Sequence, residues 1–270
     1  MTKIGLALSG GGARGFAHLG IIKALEEMGI VINEVSGTSA GAIVGAFYCY
    51  GYKPDEILEI ITSTGFLKSV RPAWSWTGLL SMDGFKEVMH KCIPEDSFES
   101  LKIPLTVTAT EIRLGKVTYF DSGELISRVI ASSGIPALFD PKILNGNVYV
   151  DGGIMDNLPV RPLVGKCDFI IGCHSNPVEQ RFDIKNVKEV MERSLLIAIN
   201  VNSSFSKAQC NVIIEPPELG KYSTLDLSKG KEIFDIGYQY VKKNYSRDDF
   251  ENRLIVNGSF GFNDLQLTDN

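Results

Sequence analysis

Glu34-Val35-Ser36-Gly37-Thr38-Ser39-Ala40-Gly41-Ala42-Ile43-Val44-Gly45 is the stretch whose reading decides the fold. Val31 to Val35 is rich in β-branched residues and reads as a strand. Ala40 to Tyr50, small and apolar throughout, reads as a buried helix. Between them, Gly37-Thr38-Ser39-Ala40-Gly41 satisfies Gly-x-Ser-x-Gly at a strand-to-helix turn, where a serine hydroxyl projects from a sharp bend. Toward the N-terminus, Lys3 to Leu8 is a short apolar run ended by glycines, as a buried strand ends. Gly15 to Met28 carries Phe16, Leu19, Ile22 and Leu25 at helical spacing, with Gly29 as its stop. Strand, helix, strand, helix implies an α/β fold with a parallel sheet and helices on its faces.

Outward in the other direction, helices are expected over Pro54 to Thr62, Asp83 to Cys92 with Asp83 as cap, Glu124 to Ser132, Lys188 to Asn200 and Lys229 to Lys243. Strands are expected over Leu105 to Thr110, Val117 to Phe120, Asp168 to Cys173 and Val212 to Ile214. Tyr149-Val150 reads as a strand end running into Asp151-Gly152-Gly153. The division is one domain over residues 1–245 and a polar, weakly patterned tail, 246–270, that is loosely attached. Residues 65–82 stand apart: they hold Phe66, Leu67, Trp74, Trp76, Leu79 and Leu80 without clean periodicity.

The 270 residues carry a net charge of -5, which argues against a polyanion binder, and no nucleic-acid module is recognisable. Five scattered cysteines without Cys-x-x-Cys spacing argue against a disulfide framework and a zinc site. The apolar run after Met1-Thr2-Lys3 is too short for a signal peptide, and no stretch approaches the roughly 18 apolar residues of a membrane span. A cytoplasmic protein is expected.

Three patterns carry chemistry. Gly10-Gly11-Gly12-Ala13-Arg14-Gly15 lies between a strand and a helix, where glycines bring several N–H groups to one point beside a helix N-terminus. That geometry serves a phosphate cradle or an oxyanion hole. Arg14 either braces the loop or meets an anionic head group. Gly37 to Gly41 is the nucleophile-elbow pattern, and the helix after it places its positive end near Ser39. A dinucleotide site wants an acid at the tip of the second strand, but Glu34 falls short of the tip and the elbow occupies it. The serine needs a proton acceptor. His18 sits on the glycine-loop side of the first helix, where it braces the loop, and His90 lies in a charged helix. His174 ends a strand and would complete a Ser39–Asp151–His174 order. The other acceptor is Asp151 itself, made more basic by burial and bonded directly to Ser39, with Asp156 as the next carboxylate.

These motifs resemble the patatin-like phospholipase family, especially its compact bacterial members. The matches are Gly10 to Gly15, Gly37 to Gly41, Ala131-Ser132-Ser133-Gly134-Ile135-Pro136, and Asp151-Gly152-Gly153 with Asn157 and Pro159, in the family's order. The resemblance implies a patatin-like three-layer α/β/α sandwich with a mainly parallel central sheet. It implies Ser39 as nucleophile, Asp151 as general base and the Gly10–Gly15 loop as oxyanion hole, with no cofactor. The implied activity is hydrolysis of lipid carboxylic esters through an acyl-enzyme. Many members carry Asp-Gly-Ala where this chain has Asp-Gly-Gly. Residues 65–82, with Lys68 and Arg71, are a candidate lid or peripheral membrane contact. The rival readings are a Ser-His-Asp esterase using His174, a nucleotide-binding module and a non-catalytic lipid-binding protein.

Overall fold

The computed structural model describes residues 2–63, 71–72, 78–179, 187–250 and 252–253. Strand β1 (Ile4–Leu8) passes through a 3-10 turn (Gly12–Gly15) into helix α1 (Phe16–Glu27); β2 (Glu34–Thr38) leads into α2 (Ala40–Tyr50) and then α3 (Pro54–Ser63). Short strands β3 (Arg71–Pro72) and β4 (Gly78–Ser81) precede α4 (Asp83–Cys92), β5 (Leu105–Glu111), β6 (Lys116–Phe120) and α5 (Leu125–Ser132). The chain continues as β7 (Ala137–Phe139), β8 (Lys142–Leu144), β9 (Asn147–Asp151), β10 (Phe169–Cys173), α6 (Val187–Lys207), β11 (Val212–Ile214) and α7 (Gly230–Asn244).

Strands β11, β10, β1, β2 and β5 run parallel in that order, and β6, β9 and β8 add antiparallel pairings. Strand β4 pairs with β3 and β7 in a separate small sheet. Successive parallel strands joined by right-handed crossovers put α1 and α2 on one face. There Leu6, Leu8, Val35, Val107 and Ile171 point into the main core with Leu19, Phe47 and Val129. Ala7 and Ile170 point to the opposite face and are covered by Leu158, Val160 and Leu163 of the segment leading to β10. The sheet is therefore buried on both sides, as parallel strands require.

Several boundaries differ from the sequence expectation. The second strand begins at Glu34 rather than Val31, and Val31 is 69 % exposed. Its polar residues are satisfied by a crossing segment instead: Ser36 Oγ donates to the Pro159 carbonyl at 2.5 Å and Thr38 Oγ1 to that of Asp156 at 2.9 Å. Strand preference follows such tertiary pairing more than β-branching. Helix α4 takes Met82, not Asp83, in its capping position. Helix α6 runs on to Lys207, past the expected end at Asn200, and in the added turns Asn202 Nδ2 reaches the Ile154 carbonyl. Packing also passes residue 245: Phe250 is 1 % exposed and stacks 5.6 Å from Tyr245. Most of the 65–82 stretch, Trp74 and Trp76 included, lies outside the described residues, as does the chain from 254 onward.

Candidate active site

Strand β5 brings the two key residues together. Along one edge it pairs with β2 up to Thr38 opposite Thr108. From Ala109 onward that edge pairs with β9, which runs the other way and ends with Asp151 opposite Ala109. Strand β6 occupies the far edge over Val107 to Glu111. Strands β2 and β9 therefore meet end to end on consecutive rungs of β5. Ser39 follows the last residue of one, and Asp151 is the last residue of the other. Ser39 Oγ donates to Asp151 Oδ2 at 2.6 Å, with both side chains buried.

The bend at Ser39 is strained, with φ 53° and ψ -120° in a residue that has a Cβ. A Cβ on Gly37 would lie 2.5 Å from the Gly41 carbonyl oxygen, and one on Gly41 2.2 Å from that of Leu8, so both elbow glycines are set by close backbone approach. Ser132 holds the bend. Its Oγ accepts the Ser39 N–H at 2.8 Å and donates to the Thr108 carbonyl at 2.6 Å. Asp151 is fixed as firmly: its N–H donates to Gly134 at 2.9 Å, and its Oδ1 accepts the Gly153 N–H at 2.8 Å. Burial raises its carboxyl to about 6, against the lowering effect of the bonds from Ser39 and Gly153.

The glycine loop completes the site. Gly10, Gly11 and Gly12 line a pocket together with Ser39 and Asp151. Gly12 has φ +55°, and a Cβ there would lie 2.1 Å from the Thr224 carbonyl oxygen. The N–H groups of Gly11 and Gly12 meet no acceptor among the described residues. Residues just after β10 hold the loop from behind. Asn176 Nδ2 donates to the Gly10 carbonyl at 2.7 Å and the Ser175 hydroxyl donates to it at 3.0 Å. A trans peptide carries its N–H opposite its carbonyl, so pinning the Gly10 carbonyl also fixes the Gly11 N–H. Asn157 adds its own carbonyl, which accepts the Gly10 N–H at 3.1 Å. Its buried Nδ2 has no acceptor among the described residues. Beside these polar groups, Ile135, Pro136, Leu195, Leu196 and Ile199 give the pocket an apolar wall.

The other candidates sit elsewhere. His174 is fully buried and its Nδ1 lies 2.8 Å from Glu215 Oε1, while Lys207 Nζ donates to Glu215 Oε2 at 2.7 Å. Burial lowers the pKa of this imidazole, against the raising effect of Glu215. His18 Nε2 meets the Ser9 carbonyl at 2.8 Å and braces the loop, and burial lowers its pKa to about 4. Arg14 is 5 % exposed and donates to the Tyr222 carbonyl at 2.8 Å and that of Gly220 at 3.3 Å, so it braces the loop. His90 stands 3.9 Å from Asp96, remote from these groups in the sequence and in its contacts. Asp156 accepts the Tyr119 hydroxyl at 2.7 Å, and burial raises it to about 6. Glu34 pairs with Lys166 at 2.9 Å.

The sequence model of the patatin-like phospholipase family matches residues 6–164, which contain every one of these motifs. The chain belongs to that family. An uncharacterized NTE family protein of Mycobacterium tuberculosis is 36% identical over 166 residues, 60% of this chain and 46% of the relative. The lysophospholipase NTE1 of Kluyveromyces lactis is 31% identical over 88% of this chain and 19% of its own length. This patatin-like chain thus spans less than half the length of the curated relatives it matches. Its fold is similar to that of VipD from Legionella pneumophila, with a TM-score of 0.52 at 16% identity over 95% of this chain and 67% of that one. Within the family frame, the serines and asparagines behind the glycine loop went unassigned in the sequence; Ser175 and Asn176 carry only the signal of following a strand end at His174. The apolar wall from α6 carried no site signal at all.

Proposed function

We propose that this protein is a serine acyl hydrolase that cleaves carboxylic esters of lipids with Ser39 as nucleophile and Asp151 as general base. The observation that carries the reading is the direct 2.6 Å bond from Ser39 Oγ to Asp151 Oδ2 at the floor of a pocket with free backbone donors. With a pKa of about 6, Asp151 is largely ionised at neutral pH yet more basic than an ordinary aspartate.

Asp151 takes the Ser39 proton as Oγ bonds to the ester carbonyl carbon, and the oxyanion receives hydrogen bonds from the Gly11 and Gly12 N–H groups. Each such donor is worth roughly 3 kcal/mol. Collapse breaks the carbon–oxygen bond, and the leaving alcohol departs with the proton from Asp151. A water molecule then gives its proton to Asp151, attacks the acyl-enzyme and frees the acid, and Ser39 recovers its proton.

The apolar wall of Ile135, Leu196 and Ile199 suits an acyl chain. Yeast relatives similar over 88% of this chain are named lysophospholipases, which makes a lysophospholipid the first natural substrate to try. No helix among the described residues is long and apolar enough to cross a membrane. A His174-based triad is disfavoured because that imidazole is committed to Glu215 and Asp151 reaches Ser39 unaided.

The test is covalent labelling by a fluorophosphonate, read together with turnover of a lysophospholipid. Wild type should label once, at Ser39. Ser39→Ala and Asp151→Asn should lose labelling and turnover, and His174→Ala should keep both. Loss in His174→Ala, with the fold intact, would overturn the dyad.

A further inference from the structure

Helix α6 turns its sides the wrong way round for a surface helix. Val190, Met191, Leu195, Ile197, Val201 and Phe205 are each between 40 % and 77 % exposed. At 100° per residue they fall in one outward sector with the small Ala198 and the hydroxyls of Ser194 and Ser204. The inner side carries polar groups beside Leu196 and Ile199: Ser203 is fully buried, Asn200 Nδ2 donates to the Asn176 carbonyl at 2.8 Å, and Lys207 pairs with Glu215. A soluble chain rarely presents a run of large apolar side chains this long and continuous unless something apolar covers it.

The position of the stripe names what covers it. Leu195 belongs both to the stripe and to the pocket wall, and its neighbours Leu196 and Ile199 carry that wall inward to Ser39. Ile154 and Met155, on the turn after Asp151, extend the apolar rim at 36 % and 42 % exposure, and Asn202 Nδ2 ties this turn to α6 at 2.9 Å. The apolar surface is thus continuous from the outside of the molecule to the nucleophile. Charge narrows the choice further. The chain carries net -5 and the outward stripe holds no charged side chain among the described residues, so attraction to an anionic surface is not what it offers.

We propose that the outward stripe of α6 is the surface by which the protein rests on a lipid–water interface, with the pocket mouth facing the acyl chains. The proposal rests on the lipid-ester reading of the Ser39 site. Substrate then passes from the interface along Leu195 into the pocket without its chain entering water, and binding depends on apolar contact and not on salt.

The experiment compares wild type, Val201→Asp, Phe205→Asp and the double variant, none of them at pocket-lining positions. Binding is read by co-sedimentation with pure phosphatidylcholine vesicles at low and high salt. The site is read separately with a monomeric short-chain ester. Wild type and Ser39→Ala should bind vesicles equally and with little dependence on salt. The aspartate variants should bind at least about tenfold more weakly and turn over the soluble ester within about twofold of wild type, which also shows that they fold. In a background with Trp74 and Trp76 replaced by phenylalanine, Val201→Trp should give an indole emission that shifts to the blue only when vesicles are added. Vesicle binding untouched by the aspartates would overturn the proposal. So would a Val201→Trp emission already blue in buffer, from cover by another part of the chain or by a second copy, the two told apart by molar mass in solution. If wild type binds vesicles but cleaves no soluble or vesicle ester, the site reading fails and the surface stands.

Discussion

Asp151 sits one rung beyond Thr38 along the same edge of β5, opposite Ala109 where Thr38 stands opposite Thr108. The contact between Ser39 and Asp151 is therefore set by backbone register, and neither side chain has freedom to search for the other. Lengthening the acid should be nearly as harmful as neutralising it. Asp151→Asn is expected to lower kcat/KM on a soluble ester by about 10² to 10⁴-fold. Asp151→Glu, which misplaces the carboxylate by about 1 Å, should lose on the order of 10²-fold. Steady-state kinetics on both variants check this. An Asp151→Glu enzyme as active as wild type would mean that the register does not govern the reaction.

The raised carboxyl of Asp151 predicts a pH profile and a stability profile of opposite sense. kcat/KM should climb as pH rises through about 6 and then level off, because the base acts as carboxylate. Stability should run the other way. The folded value of about 6 lies above the ordinary 3.8, so folding favours the protonated form. That stabilisation is complete below about pH 4 and is lost as pH rises through 6. At neutral pH and above, the buried charge costs roughly 3 kcal/mol. Asp151→Asn should then be more stable than wild type in mildly alkaline buffer and no more stable in acid. Denaturant titrations at the two pH values measure the difference.

The positive φ of Ser39 stores strain that the hydroxyl makes useful. Ser39→Gly should relieve it and be more stable than Ser39→Ala, which lacks the same hydroxyl, by about 1 kcal/mol, while both abolish covalent labelling. Ser132→Ala should lower stability. It leaves the Ser39 N–H and the Thr108 carbonyl buried without their shared partner, and should cost about 1–3 kcal/mol. Thermal unfolding of these variants beside wild type gives the sign directly. A Ser39→Gly no more stable than Ser39→Ala would remove strain from the account.

Much of this site was legible in the residues because its glycines encode close approaches that a sequence displays. Gly37 and Gly41 admit the carbonyls of Gly41 and Leu8, and Gly12 admits that of Thr224. The residues favoured Asp151 over His174, but where the imidazole is held was not legible. Both end strands, and only Glu215, 41 residues further on, shows where the imidazole is held. Val31 to Val35 looked like the second strand from β-branching alone, but pairing to β1 and β5 selects Glu34 to Thr38, whose polar side chains find carbonyls 118 and 123 residues away. The inversion of α6 was hidden for a related reason: period reveals a stripe, and only packing tells which side of the helix faces the sheet.

The pocket wall predicts chain-length selectivity. Ile199 and Leu196 line the pocket, and the side chain of neither takes part in the hydrogen bonds that hold Ser39, Asp151 or Gly10. Filling the wall should leave the chemistry alone and shorten the space for an acyl chain. Ile199→Trp is expected to lower kcat/KM for long-chain p-nitrophenyl esters by about 10-fold or more, as an added ring displaces several methylenes worth about 0.8 kcal/mol each. The shortest ester should change by no more than about 2-fold. A series of esters of rising chain length, run on wild type and variant, separates the two cases. An equal loss at every length would place Ile199 in support of the catalytic groups and move the acyl chain to another wall.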